Sequence, residues 1–172
     1  MNVVRIARPS EYAGIGNLLV EVYSQLVDFP KPDEQPAYYK LLANVGALTE
    51  KPGVEILVAE NGNSISGAVV YFNDMTFYGS GGTATKEMSA AGFRLLGVRP
   101  QARGIGVGKS LTNACIDKAR SSGKKELIIH TTNAMKTAWK MYERMGFERS
   151  PDLDFLQGSL EVFGFRKRLV NS

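Results

Sequence analysis

The chain holds one cysteine and one histidine in 172 residues. A single Cys115 excludes an intrachain disulfide, and its neighbours Ala114, Ile116 and Ala119 mark it as a buried structural thiol. His130 stands near the end of a predicted strand and reads as structural. No cluster of His, Cys and carboxylates has metal-ligand spacing, so no metal is expected. No apolar run approaches the roughly 18 residues of a membrane span. The opening Met1-Asn2-Val3-Val4-Arg5 lacks the long apolar stretch of a signal peptide. The expected setting is cytoplasmic, with no membrane partner. No repeat and no low-complexity linker divides the chain, which reads as one domain over 1–172 with a core at about 3–169.

Neither sign of charge dominates. There are 21 Lys and Arg against 17 Asp and Glu, a net charge of +4. The basic residues are scattered, and the nearest to runs are Lys124-Lys125 and Arg166-Lys167-Arg168. Without an aromatic-and-basic stripe, nucleic acid is not an expected partner. The modest positive balance suits an anionic ligand.

What is present is an alternation of strand and helix patterns. Val3–Arg8 is extended, and Pro9-Ser10-Glu11 reads as a helix start with Ser10 as N-cap. Ile15, Leu18, Leu19, Val22, Tyr23 and Leu26 follow at helical spacing. A second helix is expected over about 37–48. Strands over 54–59 and 64–72 flank Glu60-Asn61-Gly62-Asn63, which has the chemistry of a hairpin turn. The stretch 73–91 is rich in Gly, Ser and Thr and reads as a mobile loop. Strand 93–98, helix 107–122, strand 126–131, helix 134–145, an extended piece from Phe147 and a last strand over 161–169 complete a mixed α/β domain. In the second of these helices Ala138, Met141, Tyr142 and Met145 share one side.

The most informative segment is Leu95-Leu96-Gly97-Val98-Arg99-Pro100-Gln101-Ala102-Arg103-Gly104-Ile105-Gly106-Val107-Gly108-Lys109. A strand runs into a glycine-rich turn and then into a helix. Glycine allows backbone that other residues avoid, and the helix start presents unpaired N–H groups to an anionic phosphate. Arg103 and Lys109 add positive charge. A Walker A loop would need glycine where Arg103 stands, and a dinucleotide-binding fingerprint would need its third glycine at Lys109.

These residues resemble the signature of the GNAT superfamily of N-acetyltransferases: Gln or Arg, two variable residues, Gly, one variable residue, then Gly or Ala. Arg103, Gly106 and Gly108 match it, after the apolar-x-Val-x-Pro run Leu96-Gly97-Val98-Arg99-Pro100. Downstream, Ala138-Trp139-Lys140-Met141-Tyr142-Glu143-Arg144-Met145-Gly146-Phe147 is similar to the family's Ala-x-x-x-Tyr-x-x-x-Gly-Phe helix end. The resemblance covers almost the whole chain. It implies a single mixed, mostly antiparallel sheet flanked by helices on both faces. It implies an enzyme that transfers acetyl from acetyl-CoA directly to a primary amine in a ternary complex. The acceptor would be a small molecule, a peptide N-terminus or a lysine side chain.

The resemblance also implies residue roles. Leu96, Gly97 and Val98 would bond the pantetheine arm, with the Val98 N–H as oxyanion donor. Arg103, Gly104, Ile105, Gly106, Val107, Gly108 and Lys109 would hold the pyrophosphate. Tyr142 would give a proton to the leaving thiolate, a role for a phenol only in a positioned site. Asn133 stands two residues from the place where many relatives carry a cofactor-contacting Asn, here Met135, and is a candidate both for cofactor contact and for a helix cap. Relatives with a catalytic Glu on the central strand carry it at the position of Gly92, so the general base is unassigned. Specificity is expected from the first two helices and from 73–91, with Tyr38 and Tyr39 nearby. No nucleophile–base pair suggests a covalent acyl-enzyme. The missing carboxylate leaves open a non-catalytic acyl-CoA-binding sensor of the same fold. Exposed sheet edges would offer a route to a homodimer.

Overall fold

Residues 2–169 are described by the structure, a computed structural model; Met1 and residues 170–172, which the expected domain also covers, lie outside the described residues. The chain forms β1 (Val3–Ile6), α1 (Tyr12–Ser24), α2 (Pro36–Ala43), β2 (Val54–Asn61), β3 (Ser64–Phe72) and β4 (Ala90–Val98). It continues with α3 (Val107–Ser121), β5 (Glu126–Thr131), α4 (Lys136–Arg144), β6 (Glu148–Arg149), β7 (Phe155–Gln157) and β8 (Leu160–Arg168). The sheet order is β1-β2-β3-β4-β5-β8-β6, with β7 paired to β8. Every pairing is antiparallel except β4 with β5. That parallel pair requires a crossover, and α3 supplies it. The expected mixed, mostly antiparallel sheet is therefore observed.

Two cores follow from strand alternation. Ile56 and Val58 face one layer, while Leu57 and Ala59 face the other. The first layer is closed by Ile15, Leu18, Leu19 and Val22 of α1 and Leu42 of α2. The second is closed by Leu111, Cys115 and Ala119 of α3 and by Tyr142 of α4. Each fully buried leucine contributes roughly 2 kcal/mol of transfer free energy, so the apolar stripe of α1 is a main source of its docking. Among the described residues no helix is long and apolar enough to cross a membrane.

Several boundaries differ from expectation, each for a local reason. Glu11, not Ser10, closes the first helical turn: its carboxylate accepts from the Arg8 N–H at 2.7 Å and pairs with Arg5 at 2.8 Å. The Arg5 guanidinium first, and the Arg8 N–H second, hold the Glu11 carboxyl down to about 2. The second helix stops at Ala43, and a 3₁₀ turn over Val45–Glu50 takes its place. β4 starts three residues early, at Ala90, because small residues there admit close packing. The segment expected to be a mobile loop folds into two 3₁₀ turns, Met75–Phe77 and Ala84–Lys86, with Met75, Tyr78 and Ala84 buried in the first core. The helix expected from Ala134 begins at Lys136. β7, unexpected, is three residues long.

At Gly16 α1 lies against the end of α2, where an added Cβ would collide with the Ala43 carbonyl oxygen, whereas Gly14 faces open space. Gly16→Val is expected to lower stability in urea by about 1–3 kcal/mol through overpacking. Gly14→Ala should instead leave stability equal or raise it by up to about 1 kcal/mol, through helix propensity. Equal effects at the two positions would contradict the close α1–α2 approach.

Candidate functional site

The site begins where the sheet opens. β4 and β5 pair only at Ala90–Gly92 with Glu126–Ile128, and beyond Gly92 the two strands part. A bulge accompanies the parting. β3 pairs Ala68 with Gly97 and Val70 with Arg94, so Val69 alone stands against Leu95 and Leu96. Leu95 takes φ +61°, a left-handed conformation that costs a side-chain-bearing residue roughly 1–2 kcal/mol. The bulge also resets the faces. Leu95 packs in the first core, whereas Leu96 and Val98 pack against the second. Arg94 goes with Leu95: its guanidinium donates to the Tyr78 carbonyl at 2.9 Å.

The open edge of β4 borders a cleft of about 950 Å³. Leu96, Gly97, Val98, Arg103, Gly104, Gly106, Val107, Gly108, Lys109 and Tyr142 all line it, so the fold gathers ten of the twelve expected residues at one place. Gly104 and Gly106 have φ +81° and +85°, and an added Cβ at either would meet nothing within 4 Å. Glycine is needed there for backbone conformation, not for space. Gly106 is the residue before α3 and has no side chain to cap it. The first α3 ladder bond runs from the Ser110 N–H to the Gly106 carbonyl, leaving the N–H groups of Val107, Gly108 and Lys109 without helical partners. This is a backbone cradle for an anion.

Two expected residues stand apart. Ile105 is 57% exposed and does not line the cleft. Asn133 is exposed in the turn before α4, and neither lines the cleft nor caps the helix. Thr132 Oγ1 closes that turn by accepting from the Ala134 N–H at 3.2 Å.

Tyr142 sits on the buried side of α4. Its ring meets Phe93 at 5.9 Å and Phe147 at 5.6 Å, both edge-on, which fixes its direction. Burial pushes its phenol well above the ordinary value of 10, so it stays protonated at neutral pH. Among the described residues no protein group hydrogen-bonds its hydroxyl, in contrast to Tyr78, whose hydroxyl is 3.0 Å from His130 Nδ1.

No carboxylate lines the cleft. An added Cβ at Gly92 would come within 2.7 Å of the Tyr78 ring, so that ring fills the place where a side chain would project. Glu87 is 2.6 Å from Arg166 and pairs with it. His130 also borders the cleft, with both nitrogens engaged. Nε2 is 2.8 Å from the Leu153 carbonyl, which only accepts, so Nε2 carries the proton and Nδ1 accepts from Tyr78. Burial lowers its pKa below 6.5. Among the described residues no group of three His, Cys, Asp or Glu could hold a metal ion.

Sequence reasoning missed the charge of this cleft. Arg94, Arg103, Lys109, Arg120, Lys136, Arg144 and Lys167 border it, seven cations and no Asp or Glu. A partial signal existed: Lys109, Asn113, Ile116 and Arg120 recur at 4, 3 and 4 residues along α3 and form one stripe. The Leu95 bulge had a signal too, since Phe93-Arg94-Leu95-Leu96 breaks strand alternation.

Comparison with known proteins places this geometry. The acetyltransferase (GNAT) family model matches residues 18–147. A mycothiol acetyltransferase of Thermobispora bispora is 36% identical over 55 residues, 32% of this chain and 19% of that protein. The chain spans about a fifth of the length of the curated relatives it matches. A GNAT-family acetyltransferase of Staphylococcus aureus Mu50 superposes with a TM-score of 0.75 at 14% identity, over 99% of this chain and 100% of the other. The yncA protein of Salmonella typhimurium, solved with its cofactor acetyl-CoA, superposes at 0.64 and 18% identity, over 100% and 96%. At such identities the likeness establishes the fold.

The buried neutral His130 gives a pH test. Its folded pKa is depressed, so its contribution is complete above 6.5 and is lost as pH falls through the lower folded value. Thermal unfolding between pH 7 and pH 5 should show a melting temperature that declines toward acid, and less steeply in His130→Gln. An identical decline in both proteins would contradict a neutral, doubly bonded imidazole.

Proposed function

The chain belongs to the acetyltransferase (GNAT) family, and on that premise we propose that it transfers the acetyl group of acetyl-CoA directly to a primary amine in a ternary complex, in the cytoplasm. The observation that carries this reading is the free edge of β4, which leads through the 3₁₀ turn Pro100–Ala102 to the backbone cradle at the start of α3. Three features fit the donor: a cradle with open space over Gly104 and Gly106, a cationic lining, and a volume within the usual range of about 300–1,000 Å³ for ligand sites. A structural neighbour from Salmonella typhimurium is described with acetyl-CoA as its cofactor.

Bound acetyl-CoA supplies an acyl group already activated as a thioester. The protein's part is positioning and charge. The N–H groups of Val107, Gly108 and Lys109, with Arg103, hold the pyrophosphate. Backbone groups of Leu96, Gly97 and Val98 take the pantetheine amides. The Val98 N–H donates to the oxyanion as the amine nitrogen bonds to the acyl carbon. The carbon–sulfur bond then breaks, and the Tyr142 hydroxyl gives its proton to the sulfur. The proton that the amine nitrogen releases passes through water and returns to the Tyr142 oxygen, which restores the phenol. No side chain is assigned as base. The field of seven cations disfavours an ammonium and so favours the neutral, attacking amine.

The test is a thiol-release assay over a broad amine panel. Tyr142→Phe is expected to lower kcat by about tenfold or more, while leaving the acetyl-CoA Kd within about twofold. A loss below about threefold would remove Tyr142 as the proton donor. Acetyl-CoA binding with no thiol release on any amine would instead make the chain a cofactor-binding module.

A further inference from the structure

Beside the main cleft, on the α1 and α2 side, lies a second and smaller hollow of about 70 Å³. Tyr23, Arg94, Leu95, His130, Thr131 and Met135 line both spaces, so the two are neighbours that share a wall. The hollow's remaining lining joins the aromatic Phe29, Tyr38 and Phe155 to Leu160 and Val162 and to the polar Ser80, Thr132 and Gln157. Tyr23, Phe29 and Tyr38 pack together with ring separations of 5.7–6.1 Å, and Phe155 stands opposite at 5.2 Å from His130. It lies away from the phosphate cradle, and Ser80 from the segment between β3 and β4 contributes to it.

Arg94 has hydrogen-bonding capacity left over here. Arg94 spends one bond on the Tyr78 carbonyl and lies over the Tyr78 ring at 5.8 Å, and among the described residues it forms no ion pair. Its other N–H groups are uncommitted. Thr131 is 2% exposed, and its Oγ1 makes no hydrogen bond at all. Strand alternation puts Thr131, opposite Phe163, on the α3–α4 face of β5, so it does not share the Arg94 side of the sheet. The hollow has no carboxylate in its lining to meet an ammonium.

We propose that this hollow is the acceptor subsite, and that it selects a compact amine bearing a carboxylate, of the α-amino-acid class, with the carboxylate paired to Arg94. The inference rests on the acetyltransferase reading and narrows its acceptor. Size agrees: about 70 Å³ holds roughly two water volumes, enough for a carboxylate but not for a peptide segment. Charge agrees as well. A polyamine or lysine-rich peptide would bring further cations against Arg94 with no acid in the lining to receive them. A guanidinium holds a carboxylate by parallel charge-assisted bonds, which also sets the direction in which the amine points. The aromatic part of the lining limits water there and strengthens that pairing.

The experiment compares matched acceptors. Thiol release is measured with the common α-amino acids, with their α-carboxamides, and with spermidine, for the unmodified protein, Arg94→Gln and Arg94→Lys; acetyl-CoA Kd is measured for each. The inference requires at least one amino acid whose kcat/KM exceeds that of its amide and of spermidine by about tenfold or more. Arg94→Gln should erase that ratio through the acceptor KM, with a change in acetyl-CoA Kd several-fold smaller than the change in KM, and Arg94→Lys should restore part of it. Amides or spermidine preferred by the unmodified protein would overturn the inference while leaving the transferase reading intact. An unchanged ratio in Arg94→Gln would do the same. Acetyl-CoA binding without thiol release on any acceptor would overturn it together with the transferase reading, and leave only the cofactor site.

Discussion

A parallel pair of strands held together for only three residues shapes most of what this protein can do. β4 and β5 stay in register from Ala90 to Gly92 and then separate. Everything beyond that point on β4 has β3 on one side and the cleft on the other. The bulge at Leu95 goes with the separation, and its left-handed backbone is held in place by buried neighbours on both faces. It turns Arg94 and Leu95 toward α1 and returns Leu96 and Val98 toward α3. On the proposed reading, one strand thereby serves a donor side and an acceptor side at once.

The same parting explains why the chemistry leans on electrostatics. With the Tyr78 ring over Gly92, no carboxylate can occupy the strand at the mouth of the cleft. Tyr78 instead bonds His130, which bonds Leu153, and the neutral imidazole becomes part of the wall. Seven cations without a single acid then do two things. On the proposed function they would attract the phosphates of the donor and weaken the hold of an amine on its extra proton. Tyr142, buried and clamped between two phenylalanines, keeps its own proton throughout the neutral range, which is what the proposed proton transfer to a leaving thiolate requires of it.

Local signals carried much of this structure in the sequence, and long-range ones did not. The α1 stripe, the β2–β3 hairpin and the α3 boundaries are written in periodicity, turn residues and glycines, which act over a few positions. The cradle was readable because Gly104, Gly106 and the helix after them are contiguous. β4's first residues were hidden because Ala90, Ala91 and Gly92 have little strand propensity and are held by the packing of Met75 and Tyr78. The segment 73–89 looked mobile because it is rich in glycine, yet its few large residues are buried in the core. Asn133 fell outside the cleft because α4 starts two residues later than its pattern suggests, at Lys136. The gathering of cations was the least legible feature, since it joins residues from β4, both flanking helices and β8.

The central claim is that acetyl-CoA lies in this cleft with its pyrophosphate on the α3 cradle, and a calorimetric titration tests it most directly. The unmodified protein, Gly106→Ala and Gly106→Glu would each be titrated with acetyl-CoA, with folding checked by thermal unfolding. Gly106→Ala reports the strain of a side chain at φ +85° without adding charge. Micromolar binding, a Kd on the order of 1–100 μM, retained in Gly106→Ala and abolished in a folded Gly106→Glu, is the expected result. No binding by the unmodified protein, or equal binding by all three, would mean that the glycine turn is structural and that the donor does not lie there.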